Sequence, residues 1–277
     1  ARALLREMMV VLDQPGPSVG TVENEPAADP APAMRVYRPR SRPNGALVFL
    51  HGGGWTLGDI EAYDGFARRL CASTGRIVIN VGYSLSPEAR FPTALEQAGE
   101  ALAVAIKLAA DEGLGEARVA LAGDSAGGTL AAAAALRHHH DGGRPLGHLA
   151  LFYPVMLIEH DPAHASRDAL GDGRYFLAKA DIDWAAANYL EQPEDAGRPE
   201  VSPLLAPDMT AFPPTTVITA GYDPLRDEGA DFVRRLNAAR VDAQLYCFDG
   251  ALHGFMGFSN AMPEAAAAFK RVSRRLR

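Results

Sequence analysis

Arg118-Val119-Ala120-Leu121-Ala122-Gly123-Asp124-Ser125-Ala126-Gly127-Gly128-Thr129-Leu130-Ala131-Ala132-Ala133-Ala134-Ala135-Leu136 is the stretch whose reading decides the fold. Arg118 to Ala122 is a short apolar run that reads as a buried strand, and Thr129 to Leu136 is strongly helix-forming. Six tight residues in a Gly-x-Ser-x-Gly pattern join them. In that context the serine sits on a sharp, strained corner with its hydroxyl above the sheet edge. Gly123 and Gly127 lack Cβ atoms, so strand and helix can close around the corner. A plain strand-to-helix turn that happens to carry Ser and Gly fits the same letters. The partners found elsewhere in the chain tilt the balance toward a nucleophile.

Working outward, the same alternation of apolar runs and helical patterns recurs. Ala46–Leu50 and Arg76–Val81 read as buried parallel strands, with a helix at about 62–73 between them. An amphipathic helix is predicted from Thr93 to about Glu112, followed by the serine corner and a strand over His148–Tyr153. Thr215–Ala220 and Asp242–Phe248 read as further strands, with a helix at about 227–239 between them and a last one at about 263–276. Ala33–Tyr37 reads as an edge strand, and residues 14–33 as loops or edge strands. Leu4, Leu5, Met8, Met9 and Leu12 recur at helical spacing near the start, as a helix packed on its own domain or as a lid over a pocket. Residues 156–212 show no strand signal, only a helix near 182–190. An insertion of that length in an α/β sheet is commonly a lid or functional segment. The chain thus reads as one α/β domain, a mostly parallel sheet flanked by helices, with no internal repeat.

Composition bounds the function. The 277 residues are 48% hydrophobic and 22% charged, enough for one large core, and the net charge of −7 argues against a nucleic-acid partner. No apolar run reaches bilayer-spanning length. Cys71 and Cys247 read as two buried thiols, which favours a reducing, cytoplasmic setting; Ala1 in place of Met leaves room for a trimmed leader.

Three polar groups fall on loops just after strands: Ser125, Asp223 and His253. Open α/β sheets bind ligands at that edge. A serine hydroxyl needs a base in reach, histidine titrates in the useful range, and the base needs a carboxylate to fix its tautomer. Each residue has a plainer role available. His253 fits a structural loop histidine, Asp223 fits a helix cap, and Asp227 is a rival acid suited to a helix N-terminus. All three at strand ends, in the order serine, acid, histidine, make coincidence the weaker account. His51-Gly52-Gly53-Gly54-Trp55 follows a buried strand, and its glycines free backbone N–H groups to face a ligand atom. With Ala126 N–H at the helix start, that loop supplies donors for an oxyanion. His138, His139 and His140 match no metal spacing and suit a helix C-terminus; Pro162 between His160 and His164 weakens a helical metal site.

These pieces resemble the hormone-sensitive-lipase-like (family IV) bacterial carboxylesterases. The match is carried by His51-Gly52-Gly53-Gly54-Trp55, Tyr83-x-Leu85-x-Pro87-Glu88 with Phe91-Pro92, Gly123-Asp124-Ser125-Ala126-Gly127-Gly128, Ser202-Pro203-Leu204, Asp223-Pro224-Leu225-Arg226-Asp227-Glu228 and His253-Gly254-Phe255. The resemblance implies an α/β-hydrolase fold with a mostly parallel eight-stranded sheet. It implies Ser125 as nucleophile, His253 as base and Asp223 as its partner. Gly53, Gly54 and Ala126 become oxyanion donors, and Gly52 belongs to the same motif. It further implies a small helical cap from about 1–20 and 156–212, and short- to medium-chain esters as substrates. No metal or organic cofactor is required, and a homodimer can form on an exposed final strand. Ser84 and Ser86 stand where relatives more often show Arg and Ala, and the segment before His51 is short for the family. Both departures bear on pocket shape rather than on the reaction. A ligand receptor on the same fold and an amidase or peptidase with the same triad are the rival functions; the presence of His253 disfavours the receptor.

Overall fold

A computed structural model describes residues 1–13 and 15–277 of the chain. The elements run α1 (Arg2–Leu12), β1 (Thr21–Glu25), β2 (Ala33–Arg38), β3 (Ala46–Leu50), α2 (Asp64–Thr74) and β4 (Ile77–Gly82). They continue with α3 (Thr93–Asp111), β5 (Val119–Asp124), α4 (Ala126–His140) and β6 (His148–Phe152). The insertion carries α5 (Ser166–Leu170) and α6 (Lys179–Tyr189), and the chain closes with β7 (Thr215–Tyr222), α7 (Arg226–Ala238), β8 (Ala243–Leu252) and α8 (Glu264–Leu276).

The eight strands form one sheet in the order β1-β2-β4-β3-β5-β6-β7-β8. From β4 to β8 every pairing is parallel; β2 runs antiparallel to both neighbours. The central strands β3, β5 and β6 are buried at every residue, which is why they read as unbroken apolar runs. Their side chains divide between two cores. Val48, Leu50, Leu121 and Leu151 face the layer of α3, α4 and α7, while Leu47, Phe49, Ala122 and Phe152 face α2 and α8. α4 is buried from Ala126 to Leu136, and its alanines let it lie close under the sheet between other elements. No helix among the described residues is long and apolar enough to cross a membrane.

Two expectations change. Ala33–Tyr37 is not an edge strand: β1 pairs outside it, Thr21 opposite Arg38 and Glu25 opposite Met34. β1 is almost wholly exposed and polar, so it is held by its ladder and left no apolar alternation in the sequence. Cys71 is buried as expected, but Cys247 is exposed. It sits on β8, the strand that ends the sheet, where its neighbours Leu245 and Asp249 are also exposed.

The chain order reverses direction across the sheet between β3 and β5, so the loops after these two strands flank the crevice that such a reversal opens. α1 and the insertion lie over that crevice. α1 buries only Met9. Its start is held by Arg2, which pairs with Glu88 at 2.6 Å and donates to Thr56 O, and by Arg6 with Asp59. Its end is held by Asp13, which pairs with Arg69 and accepts from Ser259 Oγ at 2.6 Å.

Candidate active site

β5 delivers Gly123 and Asp124 to the sheet edge, and Ser125 makes the corner with φ 52° and ψ −122° before α4 begins at Ala126. A non-glycine residue in this region costs on the order of 1–3 kcal/mol and needs its surroundings to hold it. Ser125 N–H donates to Phe152 O at 2.8 Å, and Ser125 O accepts from Gly128 N at 2.9 Å. The close approach requires the glycines. A Cβ on Gly123 would stand 2.1 Å from Gly127 O, and one on Gly127 would stand 2.0 Å from Leu50 O.

His253 follows directly on β8, and Asp223 directly on β7. The Asp223 carboxylate accepts from His253 Nδ1 at 2.9 Å, and His253 Nε2 lies 2.9 Å from Ser125 Oγ. With the proton on Nδ1, Nε2 is the acceptor for the Ser125 hydroxyl. Asp223 is fully buried and His253 is 6% exposed. Asp223 also accepts from Leu225 N at 2.9 Å, so it serves as turn residue and histidine partner at once. Asp227, the rival acid, is spent elsewhere: it accepts from Ser166 N at 2.8 Å and pairs with Arg226.

The glycine loop is fixed from both sides. His51 is fully buried, its ring stacked 4.4 Å from that of Tyr83 and 5.3 Å from that of Tyr63. Burial pushes its pKa down to about 4, so it is neutral and structural. Tyr83 OH donates to His51 O at 2.7 Å. Gly53 takes φ 110°, and its carbonyl accepts from Leu57 N at 2.8 Å. Gly53 and Gly54 line the same cavity as Ser125 and His253. Gly52 is placed differently and is not among the residues that line this cavity. Its N–H donates to Asp124 Oδ1 at 2.7 Å, so that amide is consumed inside the scaffold, a correction to its grouping with the oxyanion donors.

The cavity holds about 260 Å³ and is lined mostly by apolar side chains. Leu5, Met8 and Met9 come from α1; Phe176, Ile182 and Trp184 come from the insertion. Trp55 at the end of the glycine loop stacks on Tyr189 of α6 at 4.4 Å. The insertion is rooted by a pair that the sequence did not announce. Arg167 and Glu228 are each 1% exposed and meet at 2.8 Å, with Glu228 also accepting from Met156 N at 2.9 Å. Tyr153 was missed as well; its ring meets that of His253 edge-on at 5.0 Å. The remaining histidines are dispersed. His160 and His164 face separate carboxylates, Asp168 and Asp231, while His138 accompanies the exposed His139 and His140 at the end of α4. Among the described residues no group of three or more metal-ligating side chains gathers.

Known proteins resemble this chain in sequence and in fold. The family described as alpha/beta hydrolase fold matches residues 47–257. The carboxylic ester hydrolase LipN of Mycobacterium tuberculosis is 35% identical over 274 residues, covering 95% of this chain and 72% of that protein. The carboxylesterase NlhH of the same organism is 34% identical over 243 residues, 86% of this chain and 75% of its own. An esterase of Pyrobaculum calidifontis superposes with a TM-score of 0.91 at 33% identity, over 99% of this chain and 91% of that one. The chain belongs to the α/β-hydrolase family, among its hormone-sensitive-lipase-like bacterial carboxylesterases. In that family's terms, the expected eight-stranded sheet is present, with six strands in continuous parallel pairing.

Proposed function

We infer that this carboxylic ester hydrolase acts on short- to medium-chain esters through an acyl-enzyme on Ser125. The row of two 2.9 Å hydrogen bonds from Asp223 through His253 to Ser125 carries the reading. Ser125 Oγ attacks the ester carbonyl while its proton passes to His253 Nε2. Asp223 keeps the other ring proton in place and stabilises the imidazolium. The carbonyl oxygen, now negative, is met by the N–H groups of Gly53, Gly54 and Ala126. The first two line the cavity, and the third opens α4, where helix geometry leaves N–H groups unpaired. His253 returns the proton to the departing alkoxide, and the acyl group stays on Ser125. Water then attacks with His253 as base, releasing the carboxylic acid and restoring the serine.

α1 and the 156–212 region act as the cap of the single domain and supply the apolar wall for the acyl chain. A cavity of about 260 Å³ sits just under the range of roughly 300–1,000 Å³ typical of small-molecule sites, which suits small esters. The test is hydrolysis of p-nitrophenyl acetate, butyrate and longer esters. Turnover should fall off on long acyl chains, and Ser125→Ala should lose about 10⁶-fold in kcat. Ester turnover surviving in Ser125→Ala would overturn the triad.

A further inference from the structure

Asp124 is the residue between Gly123 and the nucleophile, and nothing in the triad or the oxyanion reading uses it. It is nevertheless 4% exposed and lines the cavity. Its two oxygens have separate partners. Oδ1 accepts from Gly52 N at 2.7 Å, across 72 positions of sequence, and Oδ2 accepts from Tyr63 OH at 3.3 Å. The fit at Gly52 leaves no slack, since a Cβ there would stand 2.5 Å from Asp124 Oδ2. Tyr63 in turn stacks against His51 at the head of the glycine loop. One carboxylate therefore ties the residue before Gly53 to the residue before Ser125.

We propose that Asp124 is a positioning residue for the oxyanion site, its carboxylate holding Gly52 so that the following amides of Gly53 and Gly54 stay aimed at the carbonyl attacked by Ser125. This rests on the oxyanion reading given above and adds what keeps it in register. An aimed N–H is effective only while its direction is fixed before the charge develops. The loop's own bonds shape its turn, His51 Nδ1 to Gly52 O at 2.8 Å and Leu57 N to Gly53 O at 2.8 Å, but they lie within the loop and do not tie it to the serine corner. The bond from Gly52 is an anchor, and it moves with the nucleophile because both belong to one corner. Burying the carboxylate for this purpose is costly, and burial pushes its pKa up to about 7.

The test compares Asp124→Ala, Asp124→Asn and Ser125→Ala on p-nitrophenyl butyrate, each checked for folding by thermal melting. Asp124→Ala should lose about 10²-fold in kcat, as for loss of one oxyanion donor, with KM held within about threefold. Its affinity for an aliphatic trifluoromethyl ketone, whose hemiketal oxygen carries the same charge, should weaken by a similar factor of about 10². Asp124→Asn retains an acceptor oxygen for Gly52 and should recover the rate to within about tenfold of wild type. Should the alanine variant fail to fold, Asp124→Val, closer in volume, carries the same expectation. The proposal is overturned if the folded variant lacking the acceptor stays within threefold of wild type in kcat. It is equally overturned if Asp124→Asn is as impaired as Asp124→Ala, since charge rather than the Gly52 bond would then be the cause. Survival of turnover in Ser125→Ala sinks the triad reading itself and is read independently of both.

Discussion

Beneath the cavity, Ser125 and the glycine loop stand at the ends of β5 and β3, two adjacent strands buried at every residue. Above it, α1 buries Met9 alone, and Trp184 of α6 is 51% exposed. The floor is held by backbone ladders, close glycine contacts and buried hydrogen bonds. The cover is held at its outer end by exposed ion pairs such as Arg2–Glu88, which are worth little in water. The difference teaches a division of labour. Reacting atoms must keep their geometry to a fraction of an ångström, so they are carried by elements that cannot shift. In the proposed function the walls only select and shield an acyl chain, a task that tolerates looser attachment and to which flexible side chains such as Met8 and Met9 adapt.

That contrast can be broken or sharpened by substitution. The largest effect after loss of the nucleophile belongs to the floor. Asp223→Asn keeps the shape but presents the wrong tautomer to Ser125, and kcat should fall about 10⁴-fold with the melting temperature nearly unchanged. The next tests whether any of the cover is as rigid as the floor. Arg167→Met strips Glu228 of its buried partner and should destabilise the fold by about 3–5 kcal/mol in denaturant titrations. Replacing both residues by apolar ones should restore most of that loss. A small effect from Arg167→Met alone would show the root of the insertion to be as loose as α1.

A third expectation concerns groups that the floor keeps uncharged. His148 on β6 is 3% exposed and shares a hydrogen bond of 2.9 Å with Thr216. Burial, its leading cause, lowers its pKa to about 4. Unfolded histidine binds its proton near pH 6.5, so between about 6.5 and 4 the unfolded chain holds more protons than the native one. The contribution is fully present above pH 6.5 and is lost as pH falls toward 4. The stability of wild type relative to His148→Gln should therefore drop by about 3 kcal/mol across that window in paired denaturation curves. A flat difference would mean that His148 is protonated in place. The smallest effect is expected at the cover's surface. Trp184→Ala should change kcat/KM for any one acyl length by no more than about tenfold, while shifting the preferred length. A thousandfold loss there would erase the distinction between floor and wall.

Much of the floor was legible in the letters, because each of its devices is local. A buried parallel strand must be an apolar run, a corner that admits no Cβ must be flanked by Gly123 and Gly127, and an anion-facing loop needs glycines in sequence. The order of Ser125, Asp223 and His253 at strand ends then followed from the alternation of strands and helices. The letters leave residues 14–33 as loops or edge strands without placing β1 among them, since a polar edge strand has no periodicity to read, and the exposure of Cys247 escapes them because it depends on β8 being the last strand.

By itself, then, the sequence determined the α/β architecture, the three side chains that meet at the sheet edge and the loop that faces them. Only the tertiary structure decided that Gly52 gives its amide to Asp124, that Asp227 is taken by Ser166, and that Arg167 and Glu228 pin the insertion down. The physical reason is range. Backbone conformation is written in neighbouring residues, whereas a hydrogen bond across 61 or 72 positions is fixed by which strands the whole chain sets side by side.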